Sequence, residues 1–256
     1  SLRILLAEDN AVNQQVARRI IEKRGHDVTV ANDGQEALDF VASSSFDIIL
    51  MDVQMPRLGG FDATKAIRDR EAAGAPFTPI IAMTAHALQG DRDRCLDAGM
   101  NGYVAKPIES DHLFSEIARL LDCDGEPAGD PAERIDASRF DAAIFDFKSA
   151  LDRLDGDQAL LAEVVEMFLN DAPSQIRDMR RALERSDRDA VSRITHTLKG
   201  AIGNLGAPAA YDAALDLERS AGDGDEDELA IAIGAFEQSV DQLRAHVERL
   251  FTPRSG

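Results

Sequence analysis

The stretch Asp47-Ile48-Ile49-Leu50-Met51-Asp52-Val53-Gln54-Met55-Pro56 decides the fold class. Four apolar residues in a row, followed at once by a carboxylate, leave no face of the segment for water. Such a short, unbroken run is the pattern of a parallel strand buried on both faces. The strand is expected over Asp47–Met51, with Asp52 just beyond its carboxyl end.

Working outward, similar short runs occur at Arg3–Ala7, Asp27–Ala31, Pro79–Met83 and Gly102–Ala105. Helical periods fall between them, near Asn13–Arg24, Gln35–Ser43, Gly60–Glu71, Leu88–Ala98 and Asp111–Leu121. A strand–helix unit repeated five times implies an α/β, doubly wound parallel sheet with right-handed crossovers. In open sheets of this kind ligands bind outside the carboxyl ends of the strands. Polar residues collect at that edge: Glu8-Asp9 after the first strand, Asp52 after the third, Thr84 after the fourth and Lys106-Pro107 after the fifth.

Three carboxylates brought together repel, and loss of water makes this worse, so the cluster needs a cation. An all-oxygen donor set suits Mg²⁺. A carboxylate can attack phosphorus and form an aspartyl phosphate. Cations then do most of the work of stabilising the transferring group, here Mg²⁺ and the Lys106 ammonium, with the Thr84 hydroxyl as a hydrogen-bond donor. Singly, each residue has a plain explanation: an Asp after a strand is usually a cap or turn residue, and Lys-Pro usually a loop. Their joint placement carries the reading.

Composition bounds the rest. The chain has 256 residues, 44% apolar and 29% charged, which is globular. No apolar run approaches the roughly 18 residues of a membrane span. The opening Ser1–Leu6 is too short for a signal peptide. Cys95 and Cys123 form no CxxC pair, so neither a disulfide framework nor a zinc site is expected. A cytoplasmic chain is expected, even if a longer parent protein is membrane-anchored. The net charge of −19 argues against nucleic acid. Through Asp122 there are 13 Lys and Arg against 19 Asp and Glu, and afterwards 15 against 28, so neither half is basic.

Cys123–Glu133 reads C-D-G-E-P-A-G-D-P-A-E, without apolar periodicity, and all strand signals stop there. Residues 123–135 are therefore expected to be a flexible linker between a first domain, 1–122, and a second, 136–252. The second shows only helical periods. Leu161, Val164, Val165, Phe168 and Leu169 form one stripe. Leu229, Ile233, Phe236, Val240, Leu243, Val247 and Leu250 form a seam with spacings of four and three. Pro173 and Pro208 stand where helices could begin. The expectation is an all-α four-helix bundle with one or two further short helices.

Within it, Ile194–Ala207 reads I-T-H-T-L-K-G-A-I-G-N-L-G-A. At about 100° per residue His196 lies roughly 200° from Ile194 and Leu198, pointing away from the core stripe. Ser192, Lys199, Gly200 and Gly203 share its face. Glycine inside a helix costs about 1 kcal/mol against alanine, and a bare surface beside His196 would explain it, letting another backbone approach. Lys199 would offset charge on a phosphorylated imidazole. A solitary exposed histidine is usually nothing more; the H-x-x-K-G pattern makes this one different.

The first domain, Leu2 to Leu121, resembles the response-regulator receiver family. The resemblance rests on A-E-D-N (Ala7–Asn10), L-M-D-V-Q-M-P-R-L-G-G (Leu50–Gly60), M-T-A-H-A (Met83–Ala87) and G-Y-V-A-K-P (Gly102–Pro107). It implies a flavodoxin-like sheet of order 2-1-3-4-5 and phosphorylation at Asp52. It further implies metal binding by Asp9, by Asp52, by the Gln54 carbonyl and, largely through water, by Glu8. Lys106 would contact the phosphoryl group, before a cis proline at Pro107, and Thr84 with Tyr103 would be the coupled switch pair. The output face would be the fourth helix, fifth strand and fifth helix. Gln54 and His86 occupy positions that modulate phosphate lifetime in the family; His86 itself reads as a surface helix residue.

The second domain, Phe140 to Phe251, resembles the histidine-containing phosphotransfer (HPt) family. Besides H-x-x-K-G, the matching stretches are Arg153–Asp157 (R-L-D-G-D), Phe168–Pro173 (F-L-N-D-A-P) and Asn204–Ala207 (N-L-G-A). His196 would carry the phosphoryl group, with Lys199, Gly200 and Gly203 as the surface around it.

The expected function is phosphorelay signal transduction. Asp52 accepts a phosphoryl group from the phosphohistidine of an upstream histidine kinase and exchanges it with His196, which passes it to a downstream receiver. No D-x-G-x-G nucleotide loop is present, so the chain holds phosphotransfer modules without a kinase ATP-binding core, as at the end of a hybrid histidine kinase. Two rivals differ in kind. In one the bundle only docks a partner; in the other Asp52 drains His196 by hydrolysis. Gly222–Glu228 lacks the Gly and Glu of a calcium loop at the required positions and reads as a solvated turn.

Overall fold

The computed structural model describes residues 1–84, 89–121, 144–154 and 156–251, and the chain divides into two compact units, Ser1–Asp136 and Ala137–Gly256. The linker expected over 123–135 lies outside the described residues.

The first unit runs β1 (Arg3–Ala7), α1 (Ala11–Lys23), β2 (Asp27–Ala31), α2 (Gly34–Ser43), β3 (Ile48–Asp52), α3 (Gly60–Ala72), β4 (Ile80–Thr84), α4 (Gln89–Asp97), β5 (Gly102–Ala105) and α5 (Ser110–Leu121). The five strands are parallel, in the order β2-β1-β3-β4-β5. From Ile4 to Ala7, Ile48 to Met51 and Ile80 to Met83, every side chain in the three central strands is wholly buried. Burial on both faces is why these segments are apolar without alternation. Helices α1 and α2 start where side chains satisfy free amides: Asn10 accepts from Asn13 N and Asp33 from Glu36 N.

The ends of β3 and β4 lie one residue later than hydropathy indicates. Asp52 pairs with Met83 in the ladder, and Val53 N donates to Met83 O at 3.2 Å. Thr84 pairs with Ala105, while its carbonyl accepts from Lys106 N at 2.7 Å. Neighbouring backbone extends the ladder onto polar residues, a contribution no polarity pattern registers.

The second unit is helical: α6 (Phe147–Arg153), α7 (Gln158–Glu184), α8 (Arg188–Leu205), α9 (Pro208–Asp223) and α10 (Glu226–Phe251). Asp146, Asp157 and Asp187 cap α6, α7 and α8 by accepting from Ser149 N, Leu160 N and Ala190 N. Helix α8 ends at Gly206, whose φ is +67°; a Cβ there would stand 2.9 Å from the Asp146 carbonyl oxygen. Leu229, Ile233, Phe236, Val240, Leu243 and Val247 are buried along α10 as expected, while the Leu250 side chain is outside the described set.

Pro208 opens α9, but Pro173 does not open a helix: it sits inside α7. Proline there forgoes one backbone hydrogen bond and crowds the preceding turn. The helix continues because its core positions run on through both halves, from Leu160, Leu161, Val164, Val165 and Phe168 to Ala172, Met179 and Ala182. Among the described residues no helix is long and apolar enough to cross a membrane.

Candidate functional site

The carboxyl ends of β1, β3 and β5 bring their polar residues together. Oxygens of Glu8, Asp9 and Asp52 lie within 4.8 Å of one another. Lys106 Nζ reaches Glu8 Oε2 and Asp52 Oδ2, each at 2.6 Å. The other oxygens are also held: Asn13 Nδ2 donates to Glu8 Oε1 at 3.0 Å, and Gln54 N donates to Asp52 Oδ1 at 3.1 Å. The Lys106–Pro107 peptide is cis. Thr84 is buried at the end of β4, and Tyr103 packs half-buried against the core cluster that includes Met51, Ala82 and Met100. His86 lies outside the described residues.

Burial sets the electrostatics. It pushes the Asp52 carboxyl up to about 7; Lys106 pulls the other way, and the Glu8 charge adds to the rise. Burial, then Glu8, pushes Asp9 up to about 6. Burial also opposes the Lys106 charge, but Asp52 and Glu8 outweigh it and hold the ammonium above the ordinary lysine value. Three carboxylates against one ammonium leave two formal negative charges in a pocket that resists them. A divalent cation with a preference for oxygen ligands is the complement of that donor set. Asp9, half-buried while Glu8 and Asp52 are buried, is the carboxylate open to such an ion.

Hydropathy also misses how the loop after Asp52 is packed. A Cβ on Gly60 would stand 2.1 Å from Asp52 O, so only glycine lets α3 begin there.

In the second unit His196 is not on a bare face. Its side chain is only 12% exposed, and Nδ1 lies 3.3 Å from Glu218 Oε1. Lys199 is 1% exposed, among the most buried side chains of the chain, and its Nζ meets Glu218 Oε2 at 2.5 Å. Gly203 is buried too, with its carbonyl accepting from Arg153 Nη1 at 2.7 Å; Gly200 is half-buried. The expected open surface of Lys199, Gly200 and Gly203 is therefore corrected, as is the outward direction of His196. Helix α8 packs on α6, α7 and α9 together, so more than one stripe of it is covered.

Glu218 is the residue the sequence did not reveal. It lies 22 residues from His196 on another helix, and no local pattern marks it. Burial works to raise its carboxyl, but hydrogen bonds from His196 and Lys199 prevail and hold it below the usual glutamate range. Nδ1 is the ring nitrogen turned to Glu218, and a hydrogen bond at one ring nitrogen sets the tautomer of the imidazole. Tyr211 on α9 stands close enough to feel the same carboxylate: burial first, then Glu218, pushes its phenol up.

A pH prediction follows from Glu218. A depressed carboxyl stabilises the folded state above the unfolded value near 4.3, and that contribution is lost as pH falls through the folded value. Glu218→Gln leaves buried Lys199 without its carboxylate and is expected to lower stability on the order of 3 kcal/mol at pH 7. Thermal unfolding followed by circular dichroism should then show the two proteins converging below pH 4. A difference that stays constant between pH 7 and pH 3 would remove Glu218 as the source.

Comparison with known proteins gives two family matches: the response regulator receiver domain over residues 4–118 and the Hpt domain over residues 163–249. The chain is 47% identical over 120 residues to hybrid signal transduction histidine kinase I of Dictyostelium discoideum, covering 45% of this chain and 7% of that protein. It is 29% identical over 224 residues to the sensory/regulatory protein RpfC of Xanthomonas campestris, covering 86% of this chain and 31% of that one. The chain thus spans less than a third of either relative. A solved structure, the receiver domain of sensor histidine kinase PA1611 from Pseudomonas aeruginosa with a magnesium ion in its active site cleft, is 43% identical. It covers 48% of this chain and 98% of that one, with a TM-score of 0.44.

Proposed function

Because the chain joins a response regulator receiver domain, residues 4–118, to an Hpt domain, residues 163–249, as hybrid histidine kinases do, we propose that it passes a phosphoryl group between Asp52 and His196. The two domains are those of phosphorelay signal transduction. A histidine kinase supplies the group to Asp52, and a further receiver takes it from His196. The observation that carries this reading is the pairing of two unlike sites: a buried carboxylate held by Lys106 within an acidic cluster, and a histidine whose Nδ1 faces the carboxylate of Glu218.

At the first site an Asp52 oxygen attacks phosphorus in line as the bond to the donor imidazole breaks. Lys106, already on Asp52 and Glu8, neutralises the oxygens of the group in transit. Glu8, Asp9 and Asp52, with the Gln54 carbonyl, would hold Mg²⁺, which supplies positive charge to the phosphoryl oxygens when bound. Thr84 and Tyr103 register occupancy. At the second site Glu218 accepts from Nδ1–H, which holds the ring with Nε2 as the nucleophile. Buried Lys199 steadies Glu218 and lies one helical turn from the phosphorylated ring. The compartment that fits these partners is the cytoplasm.

Chemical lability of the label tests the reading. With a kinase and labelled ATP, the wild-type chain should acquire both a base-labile acyl phosphate and an acid-labile, base-stable phosphoimidazole. Chelating divalent cations should abolish both. Label confined to the acyl phosphate would overturn the relay and leave a receiver with a docking bundle.

A further inference from the structure

Between β3 and α3 the chain turns through Arg57, whose φ is +62°. A non-glycine residue rarely takes this conformation, at a cost of order 1 kcal/mol, and keeps it only where its surroundings demand it. The demand comes from Asp33, at the start of α2, which is completely buried. Its Oδ1 caps the helix by accepting from Glu36 N at 2.9 Å, and its Oδ2 has no hydrogen-bond partner. Against that oxygen stands the Arg57 guanidinium, in a close ion pair. A buried carboxylate oxygen without a donor is costly, and a cation set on it removes much of that cost.

The rest of the loop is pinned around this pair. Gly34 N donates to Leu58 O at 3.1 Å, Leu58 N to Pro56 O at 2.7 Å, and Gly60 N to Val53 O at 3.1 Å. A Cβ on Gly34 would lie 2.5 Å from Leu58 O, so the two turns touch through bare backbone. The tip of the loop is thereby fixed to α2 and its root to Asp52. Between them Gln54 N holds Asp52 Oδ1 at 3.1 Å.

We propose that Asp33 and Arg57 form a latch that orients the Asp52 carboxylate through this loop, making Arg57 a positioning residue for transfer at Asp52. The proposal rests on Asp52 being the phosphoacceptor. Only Met55 and Pro56 separate Arg57 from Gln54, so slack at the tip reaches the amide that aims the nucleophile. A small misplacement of a reacting group lowers rate without a matching loss of fold.

The test uses the whole chain with acetyl phosphate and Mg²⁺. An Asp52 oxygen bonds to phosphorus and acetate departs with the electron pair of the bond that breaks. The rate of base-labile labelling is read against Asp52→Asn as blank. Arg57→Asn accepts the left-handed backbone but carries no cation. Asp33→Asn keeps the cap but loses the charge. Each should slow labelling at saturating donor roughly tenfold, with the donor KM and the melting curve little changed, and Arg57→Lys should regain most of the rate. Wild-type rates in Arg57→Asn and Asp33→Asn overturn the latch and leave Asp52 as acceptor. So does a loss that merely follows the unfolded fraction. If the wild-type chain takes no label above the blank, the Asp52 reading itself fails, and the latch with it.

Discussion

Asp52→Asn is expected to abolish label on both domains when the phosphodonor is a kinase lacking a receiver of its own. The amide has the shape of the carboxylate but is not a nucleophile towards phosphorus, so transfer should fall by roughly three orders of magnitude or more. Misfolding will not be the cause. Asp52 is buried with its carboxyl raised to about 7. A carboxyl raised above its unfolded value near 3.9 costs stability as pH climbs from there through the folded value, and the whole cost is present above it. Replacing it with a neutral amide at pH 7.5 removes that cost, and Lys106 retains Glu8. With divalent cations chelated, Asp52→Asn should melt no lower than wild type. Radiolabel reaching His196 in this variant would sink the order kinase, Asp52, His196. A variant that melts lower would show instead that the Lys106 pair outweighs burial.

The second large effect is at His196. His196→Gln should leave Asp52 labelling by the kinase unchanged while transfer to a downstream receiver falls by at least roughly a hundredfold. The side chain is mostly covered and faces Glu218, and a glutamine amide can still donate to that carboxylate. Lys199 keeps its partner, so the bundle should hold. Downstream transfer that survives the substitution would reduce the bundle to a docking module. Rapid loss of label from Asp52 to water, equal in both proteins, would favour hydrolytic drainage instead.

What the sequence determined by itself is the parallel sheet and the edge where Glu8, Asp9, Asp52, Thr84 and Lys106 stand. Strands buried on both faces must be apolar throughout, so each ends visibly at its first polar residue. Sheet topology then carries all such ends to one side. The helical second domain was legible for the same reason, since periodicity records which residues meet the core, whereas His196 stood out only through its H-x-x-K-G pattern and its expected outward direction failed. Tertiary structure decided whatever depends on a second neighbour. Asp52 and Thr84 belong to their strands because adjacent backbone pairs with them. Pro173 stays within α7 because packing on both sides of it carries the helix through. Lys199 and Gly203 are buried because α8 has three helices against it, and a single apolar stripe counts only one. Glu218 and Arg57 meet partners 19 to 24 residues away. A contact between distant residues leaves no trace in local polarity, because only the fold sets the distance between them.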